Sequence, residues 1–243
     1  MDTPEYIYKY QSLNINNLSA LNTSQIWFSD LYHLNDPFEA TYEFTPELIF
    51  GNQSSFPSID DTVTKIIKNS AICSFTKVCP TDVRNFKTNT LMWSHYAGQF
   101  SGICIEFNTE KLLTSLQEDK RFTIRGEDVN YSDVIHSYNK PIEAFGDQVM
   151  FKKHSAWDYE NEFRILCKKD PFDGENFYKA DGLHRYNPES IRNVYVGGRL
   201  NRTEMELLNV IVRSVNSNIE ITSLLINNRY SYGIEPCDID EDY

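Results

Sequence analysis

Leu91-Met92-Trp93-Ser94-His95-Tyr96-Ala97-Gly98-Gln99-Phe100-Ser101-Gly102-Ile103-Cys104-Ile105-Glu106-Phe107 sets an aromatic, polar cluster directly before an apolar run. Trp93, Ser94, His95 and Tyr96 place four different hydrogen-bonding side chains in succession. That is too many for a plain core segment and too aromatic for an ordinary exposed loop. Such a cluster is costly to bury unless a site uses it. Gly102 admits a tight turn, and Ile103 to Phe107 then has the β-branched, apolar character of a strand in a sheet interior. The stretch reads as a site wall feeding a central strand.

Strands and helices continue outward on both sides. Towards the N-terminus, Tyr6 to Tyr10 alternates as a strand, Ser12 is placed to cap a short helix carrying Ile15, Leu18 and Leu21, and Ile26 to Ser29 reads as a second strand. Asn35-Asp36-Pro37-Phe38-Glu39 stops it, because Pro37 fixes its own φ and biases Asp36 away from helix. That segment is either an Asx turn closing a strand or a preorganised loop beside the site. Gly51 to Pro57 reads as a surface loop, Val63, Ile66 and Ile67 as a helix face, and Ala71 to Thr76 as a strand with Ser74 and Thr76 on one side. A helix is expected over Lys111 to Leu116. Tyr131 to Met150 is a polar stretch that fits either a helix with long caps or a mobile insert. Further on, Ile191 to Val196 is a strand closed by Gly197-Gly198, Thr203 is placed to cap a helix through Val215, and Ile219 to Ile226 is another strand. Without a repeat, linker or composition break, one domain over residues 1–237 is expected, followed by an acidic tail at 238–243.

The second dense patch is 151–168, containing Trp157, Glu160, Glu162 and Arg164. Read as a strand, it puts both carboxylates and the guanidinium on one face, about 6 to 7 Å apart. Arg164 serves one carboxylate and leaves the other for a ligand; the plainer reading is an exposed strand edge laced by a salt bridge.

Composition bounds the rest. A net charge of −12 argues against a broad phosphate-binding surface without forbidding a local basic groove, and an aromatic content of 14% suits aromatic-lined concavities. Five cysteines with no C-x-x-C pair, and no signal-like or membrane-length apolar run, point to a cytoplasmic protein with reduced thiols and no membrane role.

Tyr8-Lys9-Tyr10, Trp27-Phe28-Ser29 leading to Asn35 to Glu39, Met92 to Ala97 followed by Gly102-Ile103-Cys104, and Trp157 with Glu160, Glu162 and Arg164 together resemble the domain-of-unknown-function family 2971 across most of the chain. More distantly, the order of parts is similar to the ADP-ribosyltransferase fold. That resemblance implies an α+β domain whose mixed, mostly antiparallel split sheet, flanked by helices, clamps NAD as a substrate. It implies Glu162 as the glutamate that stabilises the cationic nicotinamide ribose, Glu160 as the residue that engages the acceptor, and His95 as a third catalytic group. Tyr8, Lys9, Tyr10, Asn35, Asp36, Ser74, Trp93, Ser94, Tyr96 and Arg164 would bind the dinucleotide. No His or Arg stands on the first strand where most such transferases have one, so Lys9 or a Tyr takes that role, and Ser74-Phe75-Thr76 only echoes the Ser-Thr-Ser triplet of the arginine-directed branch.

The function implied is an NAD-dependent transferase or NAD glycohydrolase, a bacterial toxin or phage-defence effector acting on a protein or nucleic-acid acceptor and held by an antitoxin or regulatory partner. Two other classes compete. A metal-dependent nuclease or phosphodiesterase would draw ligands from Asp36, Glu39, Glu160, Glu162 and His95, though no His-x-x-x-His or Asp-x-Asp signature is present. A non-catalytic sensor would use the aromatic cluster to bind a nucleotide or peptide. A Cys104–His95 thiol-imidazole pair ranks last, since Cys104 falls in an apolar strand. The expected site brings His95, Tyr96, Asn35, Asp36 and Glu162 into one pocket, with Trp93 and Trp157 as its walls.

Overall fold

Alternation along β1 (Tyr6–Gln11) sends Ile7 into one core and Tyr8 and Tyr10 into another, as the two-residue period of a strand requires. The computed structural model describes residues 3–39, 41–44, 59–135, 137–138, 147–169, 179–227 and 233–237. Its order runs β1, α1 (Ile15–Asn22), β2 (Gln25–Phe28), β3 (Glu43–Phe44), α2 (Ile59–Lys68), β4 (Ser70–Thr76), α3 (Phe86–Tyr96), β5 (Ile103–Asn108), α4 (Thr109–Leu116) and β6 (Thr123–Asp128). Then come β7 (Asn130–Ser132), β8 (Ser137–Tyr138), β9 (Lys152–His154), β10 (Glu162–Lys168), β11 (Gly182–Arg185), β12 (Ile191–Val196), α5 (Arg202–Val215), β13 (Glu220–Asn227) and β14 (Gly233–Cys237).

Eight of these strands form one curled sheet in the order β14-β13-β12-β5-β1-β4-β10-β6, antiparallel throughout except for the β12–β13 pair. The class is α+β, as expected. Residues of α1, α4 and α5, including Leu21, Leu112, Leu208 and Val212, pack on one face with Ile7, Phe75, Ile105 and Ile165. On the other face α3 supplies Met92 and Trp93 beside Tyr8, Tyr10 and Cys104, and α2 supplies Val63, Ile66 and Ile67 beside Ile72 and Leu166.

One seam in the sheet is barely closed. β1 runs against β5 along its length, from Tyr6 opposite Asn108 to Gln11 opposite Ile103, but meets β4 only where Tyr8 faces Thr76. Beyond that point β1 and β4 splay apart. Lys9 reaches across the gap, its Nζ donating to the Ser74 carbonyl at 3.0 Å. Between the strands' parting edges lies the cleft described below.

Several local expectations are corrected. The α1 cap is Asn14, whose side chain accepts from the Asn17 N–H; Ser12 stands two residues too early and instead gives its carbonyl to the Asn17 amide. α5 is capped by Asn201 in a box with Glu204, which leaves Thr203 inside the helix. Glu160 does not lie on a strand. It ends a 3-10 segment, Ser155–Glu160, and Asn161 at φ 44° turns the chain before β10 begins at Glu162. Nor is β10 an exposed edge, being paired on both sides with β4 and β6. Tyr131 to Met150 is not a capped helix in its described parts: β7 pairs with β9, and β8 with β3. The expected loop at Gly51 to Pro57, residues 139–146 and the acidic tail lie outside the described residues. Among the described residues no helix is long and apolar enough to cross a membrane, and none of the five cysteines is in a disulfide.

Gly102 matters because the chain passes other backbone there. A Cβ on it would stand 2.3 Å from the Gln11 carbonyl oxygen and 2.8 Å from that of Ala97, neither of which is a flexible tip that can swing away. Gly102→Ala should therefore force β5 from β1 and lower stability by about 3 kcal/mol or more, measured by urea unfolding. A variant melting like wild type would show that the strands have room to part.

Candidate functional site

The cleft at the β1–β4 seam has a volume of about 420 Å³, within the range of small-ligand pockets. Tyr8, Lys9 and Tyr10 of β1 line it, together with Ser74 of β4, Met92 and Tyr96 of α3, Asn35, Lys153, Glu160 and Glu162. Its floor is a buried ion cluster. Alternation on β10 puts Glu162 and Arg164 on the same side, opposite Thr76 and Ser74 of β4.

Arg164 is fully buried, and all five of its N–H donors have acceptors. Nε and Nη2 donate to the two Glu162 oxygens at 2.8 and 3.1 Å. Nη2 and Nη1 reach the two Glu39 oxygens at 2.5 and 2.9 Å, and Nη1 also donates to the Met150 carbonyl at 2.7 Å. Glu39 arrives from the Asn35–Glu39 loop, which Pro37 and the Asp36 Asx turn hold in shape: Asp36 Oδ1 accepts from the Phe38 N–H at 2.9 Å. Both readings of that loop therefore apply, a turn and a wall of the site.

Lys153 of β9 is the second buried cation. Its Nζ lies 2.7 Å from Glu160, 3.5 Å from Glu162 and 3.8 Å from Glu39, and 4.8 Å from the centre of the Trp157 ring. Three carboxylates thus meet two cations, leaving a formal charge of −1 under the cleft. Burial alone would push the Glu162 carboxyl up, but Arg164 and Lys153 outweigh it and hold the group at about 2. For Glu39 burial wins over Arg164 and the carboxyl is raised. Tyr96 donates its hydroxyl to Glu160 and accepts from Asn35 Nδ2 at 2.5 Å; burial, then the neighbouring Glu160, keep that hydroxyl protonated.

Of the residues expected to form the site, Tyr8, Lys9, Tyr10, Asn35, Ser74, Tyr96, Glu160 and Glu162 line the cleft. Five do not. Trp93 lies in the core, its ring edge-on to Tyr10 and to Phe100, each at 5.0 Å. Ser94 is exposed and donates to the Thr90 carbonyl within α3. His95 stands on the outer side, its Nδ1 3.0 Å from the Tyr159 hydroxyl. Helical periodicity explains the division, because Trp93 and Tyr96 share the inward side of α3 while Ser94 and His95 face away. Asp36 is buried in its own turn, and Arg164 lies beneath Glu162 instead of facing the cavity. Trp157, expected as a wall, instead covers Lys153.

Lys153 itself was not legible as a site residue. Next to Lys152 it reads as one of two surface lysines, and only the excess of carboxylates over Arg164 hints that a second buried cation is needed. Among the described residues, no group of three or more His, Cys, Asp or Glu side chains is arranged to hold a metal ion. Of the carboxylates that the metal reading drew on, Glu39, Glu160 and Glu162 are turned to Arg164 and Lys153, and Asp36 to the Phe38 N–H of its own turn.

The model of a family described as "Protein of unknown function (DUF2971)" matches residues 92–165. That span runs from Met92 on α3 into β10 and takes in Tyr96, Lys153, Glu160, Glu162 and Arg164, but not β1 or Glu39. No curated protein and no solved structure matches the chain, and nothing in these comparisons shows a likeness to the ADP-ribosyltransferases.

The ion cluster makes stability depend on pH in a definite direction. Glu162 is depressed in the folded state, so its contribution is complete above the ordinary carboxylate value and is lost as pH falls from there through about 2. Glu39, raised by burial, acts in the opposite sense. In urea unfolding between pH 5 and 2, Glu162→Gln should lose less stability on acidification than wild type does. Equal slopes would remove Glu162 as an acid-labile tie. Arg164→Met should cost about 3 to 5 kcal/mol at neutral pH, because it strands buried carboxylates.

Proposed function

We propose that the chain is an NAD-consuming enzyme that transfers ADP-ribose to a macromolecular acceptor, with water as the alternative acceptor. One observation carries this reading: an ionised, immobile carboxylate, Glu162, at the floor of an aromatic-lined cleft whose buried charges sum to −1. Loss of nicotinamide from NAD breaks the bond between ribose C1′ and the ring nitrogen. The electron pair leaves with neutral nicotinamide, and positive charge spreads over C1′ and the ring oxygen. A fixed anion beside that centre is worth most in the transition state, since it needs no reorganisation and the site is shielded from water. Arg164 and Lys153 keep Glu162 in its charged form and in place. Lys9, bound to the Ser74 carbonyl, offers the nearest cation on β1 for a phosphate. Tyr8, Tyr10 and Tyr96 line the walls, and of their hydroxyls it is that of Tyr96 that faces Glu160 on the floor. Glu160, beside Glu162 on the cleft floor, is the group for the acceptor's proton.

Glu162→Asp tests the assignment better than Glu162→Gln, because it keeps the charge that Arg164 and Lys153 need while drawing the carboxylate back by one methylene. Nicotinamide release, followed by chromatography with protein, RNA, DNA or water as acceptor, should fall about 100-fold or more in a variant that still unfolds in one cooperative transition. Wild type releasing no nicotinamide with any of these acceptors would overturn the reading.

A further inference from the structure

We infer that a second cavity, at the start of β1, is an anion site that takes the phosphate groups of a small phosphorylated molecule. Its volume is about 850 Å³, and it shares no lining residue with the cleft, so it stands apart from the transferase reading. The two cavities meet β1 at opposite ends: Tyr6 lines this one, and Tyr8 to Gln11 line the cleft. Asn108 at the β5–α4 junction, the Asn187–Ser190 turn, the first residues of β12 and β13 and the last of α5 complete its wall.

The charged lining is Lys111, Arg192 and Arg213 against Glu189 and Glu220, three cations to two carboxylates in a chain whose net charge is −12. The cations are held in place without being consumed. Arg192 sits 4.6 Å from the centre of the Tyr6 ring and 3.5 Å from buried Glu106, yet its side chain is 54% exposed. Arg213 Nη1 donates to the Ser217 and Ile219 carbonyls at 2.7 and 2.8 Å, which fixes the guanidinium plane. Its Nε and Nη2, and the Lys111 ammonium, have no protein partner among the described residues.

Three asparagines add neutral donors. Asn108, Asn187 and Asn216 turn Oδ1 to the backbone N–H of Lys111, Glu189 and Asn218, at 3.0, 3.0 and 2.9 Å. The amide nitrogen of each can only donate, and it is left over. Aspartate would close these turns as well but would bring negative charge, so asparagine keeps the wall rich in donors. Pro188, with its fixed φ, stiffens the turn that carries Asn187. Guanidinium donors match the oxygens of a phosphate in pairs, and a phosphate offers more acceptors than a carboxylate to a wall with this many donors. The net charge of −12 opposes a long polyanion, which favours a small phosphorylated molecule over a nucleic-acid strand.

Titration calorimetry of the full chain with pyrophosphate tests the site. A binding step should survive Lys9→Gln, which alters only the cleft, and should weaken at least about tenfold when Lys111→Gln and Arg192→Gln are combined. Lys111→Gln alone changes an exposed side chain and should weaken it about threefold, which keeps the test open if loss of Arg192 unfolds the protein. In nitrogen NMR of ¹⁵N-asparagine-labelled protein, pyrophosphate should shift the side-chain amides of Asn108, Asn187 and Asn216. No binding of millimolar pyrophosphate, or binding that Lys9→Gln abolishes and the double variant keeps, would overturn the site. Single-stranded RNA bound through Lys111 and Arg192 and not displaced by pyrophosphate would overturn the small-molecule occupant. Nicotinamide release, present or absent, bears on the cleft alone.

Discussion

Everything around the cleft depends on a guanidinium with no access to water. Arg164 has its five donors satisfied only because β10, the Asn35–Glu39 loop and the Met150 carbonyl converge on it. Removing any one of these would leave a buried charge short of partners, at a cost of several kcal/mol. The loop is thus bound to the sheet by the same contact that orients Glu162. Docking of the Asn35–Glu39 loop and assembly of the cleft floor therefore rest on the same bonds.

A cluster of this kind is a poor way to gain stability, since desolvation consumes most of the attraction between its charges. Well-packed apolar residues would hold β10 to the loop as firmly. What the ions provide is a carboxylate whose charge state and position do not depend on a ligand. Lys153 matters here for a second reason. It touches all three glutamates, so the field at the cleft is set by the five groups jointly and not by Glu162 alone.

Strands were legible where the two-residue period is carried by β-branched and aromatic residues, as in Tyr6 to Tyr10, Ala71 to Thr76 and Ile191 to Val196. Helix caps were read two residues off in both cases, because Ser12 and Thr203 look like caps while Asn14 and Asn201 do the capping. The helical nature of Phe86–Tyr96 was the costlier gap. Its aromatic and polar residues do not declare a period, and without one Trp93, Ser94 and His95 could not be assigned to sides. Glu160 was grouped with Glu162 correctly but for the wrong reason: a left-handed Asn161, not strand alternation, brings the two together. Lys153 could not be found from sequence, since its burial depends on β7 pairing with β9.

The parted seam between β1 and β4 has a meaning apart from ligands. Where two neighbouring strands separate inside a sheet, each offers unpaired peptide groups to any extended chain that enters, as an outer edge does. Such an opening invites a foreign strand, or a second copy of the same protein, to complete the ladder. Lys9 stands in that opening with its ammonium on the Ser74 carbonyl and 5.3 Å from the centre of the Phe75 ring. A charged side chain there occupies the acceptor that an intruding strand would use first and makes entry of apolar peptide unfavourable. The residue offered to a small molecule's phosphate thus also stands in the way of a polypeptide strand.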